Sequence, residues 1–176
     1  MQTHTGTRSL AEEAVAVLLE CHGRLRSFIE LADRLAVAGA MGAEEVARAA
    51  AGIRQYFAEA LPLHAQDEEE SVLPRLAGRD RQVDAALVTM HRDHAGHALA
   101  VSHVLAVCSE LVASPGRREE LAPALIAAVA TLREHFSHHL VLEEEVIFPA
   151  LRTLLGDGAR ADIARELRAR RDHSSR

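Results

Sequence analysis

Apolar residues recur along this chain at the three-to-four-residue interval of a buried helical face, in four long runs and a shorter fifth. The first run opens at Ser9, where Ser9-Leu10-Ala11-Glu12 has the form of a capping box. It carries Leu10, Ala14, Val17, Leu18, Leu25, Phe28, Leu31 and Leu35, and Ala38-Gly39-Ala40-Met41-Gly42 ends it. The second runs from about Ala43 to Leu76. Pro62 within it and Pro74 near its end remove backbone donors, so both are expected to kink or break the helix. Gly78-Arg79-Asp80 forms a turn, with Asp80 placed to cap the next helix. The third run spans Arg81 to Val112 and stops at Ser114-Pro115-Gly116. The fourth begins around Arg117–Glu119 and continues to Leu155, with Pro149 expected to interrupt it. Gly156-Asp157-Gly158 then separates an amphipathic segment over Ala159–Arg171, bearing Ile163 and Leu167. Short links between long helices imply antiparallel neighbours. The expected fold class is therefore all-α, an up-down-up-down antiparallel four-helix bundle with a short C-terminal fifth helix. Residues 9–171 are read as a single domain, with 1–8 and 172–176 as flexible termini.

Composition agrees with this pattern and narrows the partners. The 176 residues suffice for one domain with a real core. Alanine, leucine, arginine and glutamate dominate, tryptophan is absent, and lysine does not occur. A formal net charge of −6 argues against nucleic acid, whose phosphates favour a basic surface. Cys21 and Cys108 stand alone in apolar helical stretches, as small buried residues in a reducing compartment would. No signal-peptide core opens the chain and no uninterrupted apolar run reaches membrane-crossing length. The expectation is a soluble, cytoplasmic protein with no membrane partner.

Chemistry enters with a repeat. His64-Ala-Gln-Asp-Glu68-Glu-Glu-Ser-Val-Leu-Pro74 returns as His139-Leu-Val-Leu-Glu143-Glu-Glu-Val-Ile-Phe-Pro149. The histidine, three glutamates and proline keep their spacing while most other residues change. Positions i and i+4 share one helical face, so each copy presents an imidazole beside a carboxylate. Two such helices facing inward place two His and two Glu in one bundle interior, the way such bundles house two metal ions. Glu69, Glu70, Glu144 and Glu145 point progressively away and are read as solvated, although one of them could orient a histidine through its second nitrogen.

Further nitrogen donors would come from the other two helices. His22, the only histidine of the first long run, shares a stripe with Leu18, Leu25 and Ile29 and so points inward. On the third run, His91, His94 and His97 compete. His94 lies with Leu87, Met90, Ala98 and Val101 and is taken as the inward one, leaving His91 and His97 as supporting or surface groups. His135, one turn before His139, is read as a packed residue, a further ligand or a proton donor. His138 is expected to be exposed, and Tyr56 is assigned to core packing. Imidazole and carboxylate donors without thiolate favour iron or manganese over zinc.

Taken together, these motifs resemble the hemerythrin-like, or HHE cation-binding, family of bacterial four-helix proteins. The resemblance spans the four long helices in order: a lone histidine on the first, His64-x3-Glu68 with Pro74, Met90-x2-Asp93-His94, and His139-x3-Glu143 with Phe148-Pro149. It implies a non-haem di-iron centre in which His22 and His64 bind one iron, His94 and His139 bind the other, and Glu68 and Glu143 bridge, with an oxo or hydroxo group between the ions. Oxygen-carrying hemerythrins have a further histidine one turn after the His94 position, where this chain has Ala98. The doubled His-His-Glu pattern is that of bacterial iron–sulfur repair proteins, although the cysteine-bearing N-terminal extension of some of them is missing. Two classes of function follow. One binds or senses O2, NO or iron, with a redox or signalling protein as partner; the other is a redox enzyme acting on peroxide or NO, or an iron donor for cluster repair. A third reading is an interaction scaffold whose histidines bind zinc or nothing.

Overall fold

The computed structural model describes residues 10–37 and 39–174, and all regular structure among them is helical. Helix α1 is Leu10–Val37; the proposed capping residue Ser9 lies outside the described residues. Helix α2 occupies residues 43–76, α3 is Arg81–Ala113, α4 occupies residues 118–154, and α5 is Asp157–Ser174. A short 3-10 turn, Pro115–Arg117, links α3 to α4. Asp80 caps α3 as expected, its carboxylate accepting from the backbone N–H groups of Gln82 and Val83 at 2.8 and 3.0 Å. Gly78 in the preceding turn has φ +78°, the left-handed region that glycine enters without steric cost.

Packing closes the expected ring. Helix α1 lies against α2 and α4, and α3 fills the opposite corner between them. The fifth helix packs mainly along α1 and on the second half of α2. It starts at Asp157 and continues to Ser174, beyond the expected end at Arg171, so the link from α4 is shorter than the glycines suggested. Helix α3 also departs from expectation: an 18-residue window has mean hydropathy 1.4, enough to cross a membrane by length and composition. Only 28% of that window is buried, and α3 packs here as one wall of the bundle.

The three prolines do not break their helices. Each follows a π turn, at Tyr56–Ala60, Asp67–Val72 and Glu143–Ile147. In each case the residue before the proline donates its N–H five positions back: Leu61 to Tyr56, Leu73 to Glu68 and Phe148 to Glu143. Proline lacks the N–H for the next rung and its ring crowds the carbonyl four residues earlier. The wider turn shifts that carbonyl and lets the helix continue.

Two apolar cores fill the bundle. One is built around Leu25, Ile53, Phe57, Val104, Leu125 and Leu132, towards the end where α1 meets α2. The other gathers Leu18, Leu76, Met90, Phe148, Leu151 and Ile163. Between them lies a layer of buried polar residues: His22, His64, Glu68, His97, His139 and Glu143.

Candidate metal centre

Each of the four long helices contributes to that layer at the point where its apolar stripe is interrupted. His22 falls between Leu18 and Leu25, and His64 and Glu68 between Leu61 and Val72. All six residues expected to form the site come together in two groups. His22, His64, Glu68 and Glu143 form one; Glu68, His94, His139 and Glu143 form the other, and within each group the ligand atoms lie within 4.8 Å of one another. Both glutamates belong to both groups. Glu68 presents Oε1 to His64 Nε2 at 3.5 Å and Oε2 to His94 Nε2 at 3.2 Å. Glu143 presents Oε2 to His22 Nε2 and Oε1 to His139 Nε2, each at 3.0 Å.

These approaches leave several of the donor atoms without a hydrogen bond. Both nitrogens of His64, Nε2 of His22, and both carboxylate oxygens of Glu68 and Glu143 are buried without a hydrogen bond of acceptable alignment. Each such buried polar atom costs about 1–3 kcal/mol when left alone. Four imidazoles and two carboxylates aimed at shared points therefore fit cations, which would satisfy the carboxylate oxygens and one nitrogen of each ring together.

Ionisation follows from burial and neighbours. Burial pushes His64 down to about 3, so its imidazole is neutral and available as a donor. Burial likewise lowers His94, against the opposing effect of its bond to Glu69. Burial and the nearby charge of Glu143 raise Glu68 well above the usual carboxylate range. Burial acts on Glu143 in the same sense, but the imidazoles of His139 and His22 outweigh it and hold Glu143 low.

Two of the four glutamates read as solvated take the alternative role of orienting a histidine. Glu69 Oε1 pairs with His94 Nδ1 at 2.9 Å, and Glu144 Oε1 with His22 Nδ1 at 2.7 Å. They occupy matching positions of the repeat, each directly after the inward glutamate, and each reaches a histidine of a neighbouring helix. Such a bond fixes the ring and directs Nε2 into the site. Arg26 donates to Glu144 at 2.8 Å, and exposed His91 pairs with Glu69 at 3.1 Å. The signal was present in the sequence as the repeated run of three glutamates. Glu70 and Glu145 are exposed, as expected.

Three other positions change. His97, expected as a supporting or surface group, is buried, with its ring 4.7 Å from that of His139. Its distance from solvent and the neighbouring histidines lower it to about 3. His135, placed on the inward stripe, is exposed and belongs to neither group, and His138 is exposed as expected. Tyr56 is a core residue, stacked on Phe28 with centroids 4.2 Å apart. Of the cysteines, Cys108 is fully buried and burial pushes its thiol up to about 12, whereas Cys21 is only half-buried and its sulfur accepts from Arg171 at 3.2 Å.

Asp67 is the residue that sequence reasoning missed. It sits next to Glu68 in the π turn, fully buried, and pairs with Arg170 and Arg171 of α5 at 2.8 Å each. The same helix supplies Glu166, which takes Ser71 at 2.6 Å and Arg75 at 2.6 Å. Helix α5 is thus strapped to the segment that carries Glu68.

Comparison with known proteins agrees with the geometry. The chain has no match among curated proteins. A family model does match, the hemerythrin HHE cation-binding domain, over residues 13–151, which takes in every residue of both His/Glu groups. The chain belongs to the hemerythrin HHE cation-binding domain family, and its buried His/Glu layer is suited to binding metal.

Proposed function

We propose that the chain holds two non-haem iron ions, one between His22 and His64 and one between His94 and His139, with Glu68 and Glu143 spanning both. The observation that carries this reading is the sharing: each four-residue group contains the same two carboxylates. A carboxylate common to two cations screens their mutual repulsion, and a thiolate-free donor set suits iron. Iron so held would supply redox-active positions at which a small diatomic molecule, O2 or NO, is bound or sensed, or would itself be the species sensed.

The protein's own residues define the setting. Glu69 and Glu144 hold the rings of His94 and His22 from behind. The two apolar cores flank the layer. A redox enzyme acting on peroxide or NO, or an iron donor for cluster repair, is the second reading. Ala98 favours it, because this small side chain stands near His94 and His139 where oxygen carriers have a further histidine, and it opens onto a cavity.

Anaerobic loading with ferrous ion, metal counting and absorption spectra with O2, NO and peroxide separate these readings. Two irons per chain are expected; fewer than one would overturn the proposal. His64→Ala and Glu143→Ala should each lose iron, and full retention in both would exclude the assigned site. A reversible O2 spectrum supports binding, whereas consumption of peroxide over many turnovers supports the enzyme.

A further inference from the structure

A cavity of about 410 Å³, partly open to solvent, lies between α2, α3 and α4. Its walls are apolar, formed by Phe57, Leu61, Val101, Leu105 and Phe136. Its lining also includes the imidazoles of His64, His94 and His139. Ser102, a further polar group on it, already donates to the Leu99 carbonyl at 2.7 Å. No carboxylate or guanidinium lines the space.

His97 stands in the same wall. It is 6% exposed, its ring packs on Phe136 at 4.1 Å, and its side chain has no hydrogen bond or ion pair among the described residues. Its nitrogens are not fully enclosed, and His97 also borders an open cleft lined by Asp93, Glu134 and His135. His97 is also outside both His/Glu groups, so the metal site does not account for it.

Size and polarity decide what this space would hold. A diatomic molecule needs about 30 Å³, the share of one water in the liquid, which would leave most of the cavity empty. Pockets for organic ligands span about 300–1,000 Å³ and combine apolar walls with a few polar groups. A charged ligand would meet no opposite side-chain charge on the walls and would be costly to desolvate. We propose that this cavity binds a neutral, apolar organic molecule with one hydroxyl or carbonyl end, that end bonded to His97 and the body lying on the apolar walls. Only its position beside a redox-active centre rests on the function proposed above; the pocket itself does not need the metal.

The test uses para-fluorophenol as the probe, followed by fluorine NMR with the full chain, both metal-free and iron-loaded. Saturable binding is expected in both forms, with a perturbed iron spectrum in the loaded one. Val101→Trp, which fills the cavity, should weaken binding at least about tenfold. Ala98→Leu, on an exposed part of α3, gives the same readout if the tryptophan variant folds poorly. His97→Phe keeps the ring but removes its nitrogens, and should weaken binding about three- to tenfold with iron content unchanged. No saturable binding to the unaltered chain, or undiminished binding in both cavity-filling variants, overturns the proposal, as does undiminished binding in His97→Phe for the role of that residue. Probe binding without iron uptake would remove the proposed centre and leave the pocket; iron uptake without probe binding would remove the pocket alone.

Discussion

Glu69 and Glu144 show how much of this site depends on single side chains outside the six donors. Each accepts from the far nitrogen of a histidine on another helix, His94 or His22, and so fixes which way the imidazole faces. Removing such a partner from a metal-binding histidine typically costs about 10–100-fold in metal affinity. Glu69→Ala and Glu144→Ala are each expected to lose iron affinity in that range, measured by competition with a chelator. Exposed Glu145→Ala should leave the affinity unchanged. Equal affinities in all three variants would show that the paired bonds do not support the site. The run of three glutamates in the repeat made these residues visible, and helical spacing turned them towards solvent while leaving one of them able to orient a histidine. Both stay partly exposed and still reach a histidine, because a neighbouring helix is close enough for the side chain to cross the gap.

At the scale of elements, the informative parts are the π turns and the strap from α5. The prolines marked local departures from α-helix in the sequence, and their spacing in the repeat matched the turns that carry Glu68 and Glu143. What could not be read was that the helix would widen rather than end. Asp67 lies on the Glu68 turn and faces Arg170 and Arg171 across more than one hundred residues of sequence. Breaking a buried ion pair by removing its cations leaves an uncompensated charge, at a cost of about 3–5 kcal/mol. The double variant Arg170→Ala/Arg171→Ala is expected to destabilise the chain by that amount, read as a lower urea midpoint. Arg165→Ala, whose pair with Asp162 is exposed, should change stability by no more than about 0.5 kcal/mol. A double variant as stable as Arg165→Ala would remove the strap from the account.

Over the whole molecule, the polar layer divides one core into two, and its titration sets a pH dependence. His64 and His97 sit at about 3 in the fold against an ordinary 6.5, and His94 is shifted in the same direction. Between those values the unfolded chain binds more protons than the folded one, so stability falls as pH drops from 6.5 towards 3. Glu143, held low, adds to the loss as pH falls below 4.5. Glu68, held high, acts in the opposite sense and destabilises the fold as pH rises above 4.5. Asp67, which burial also raises in spite of its two arginines, acts in the same sense as Glu68. Below about 3.8 both raised carboxylates are protonated in either state, so urea midpoints of the metal-free chain are expected to decline from there towards pH 3, and a flat profile would contradict the burial of these imidazoles. Bound iron should stabilise the folded chain at neutral pH and be released on acidification, because protons compete for the same nitrogens. A free ferrous concentration a thousandfold above the dissociation constant would raise stability by about 4 kcal/mol.

By itself the sequence determined the helical runs, their antiparallel order and the six residues that meet at the bundle centre. These follow from periodicity, from turn residues and from side chains on one helical face, all of which are local properties of the chain. Tertiary structure alone decided which nitrogen meets which oxygen, that Glu69 and Glu144 reach other helices, that Asp67 is held by α5, and that His97 is buried while His135 is not. Those outcomes depend on helix rotation and on gaps between neighbours. A shift of one residue turns a side chain by about 100°, and only packing against the other helices fixes that angle.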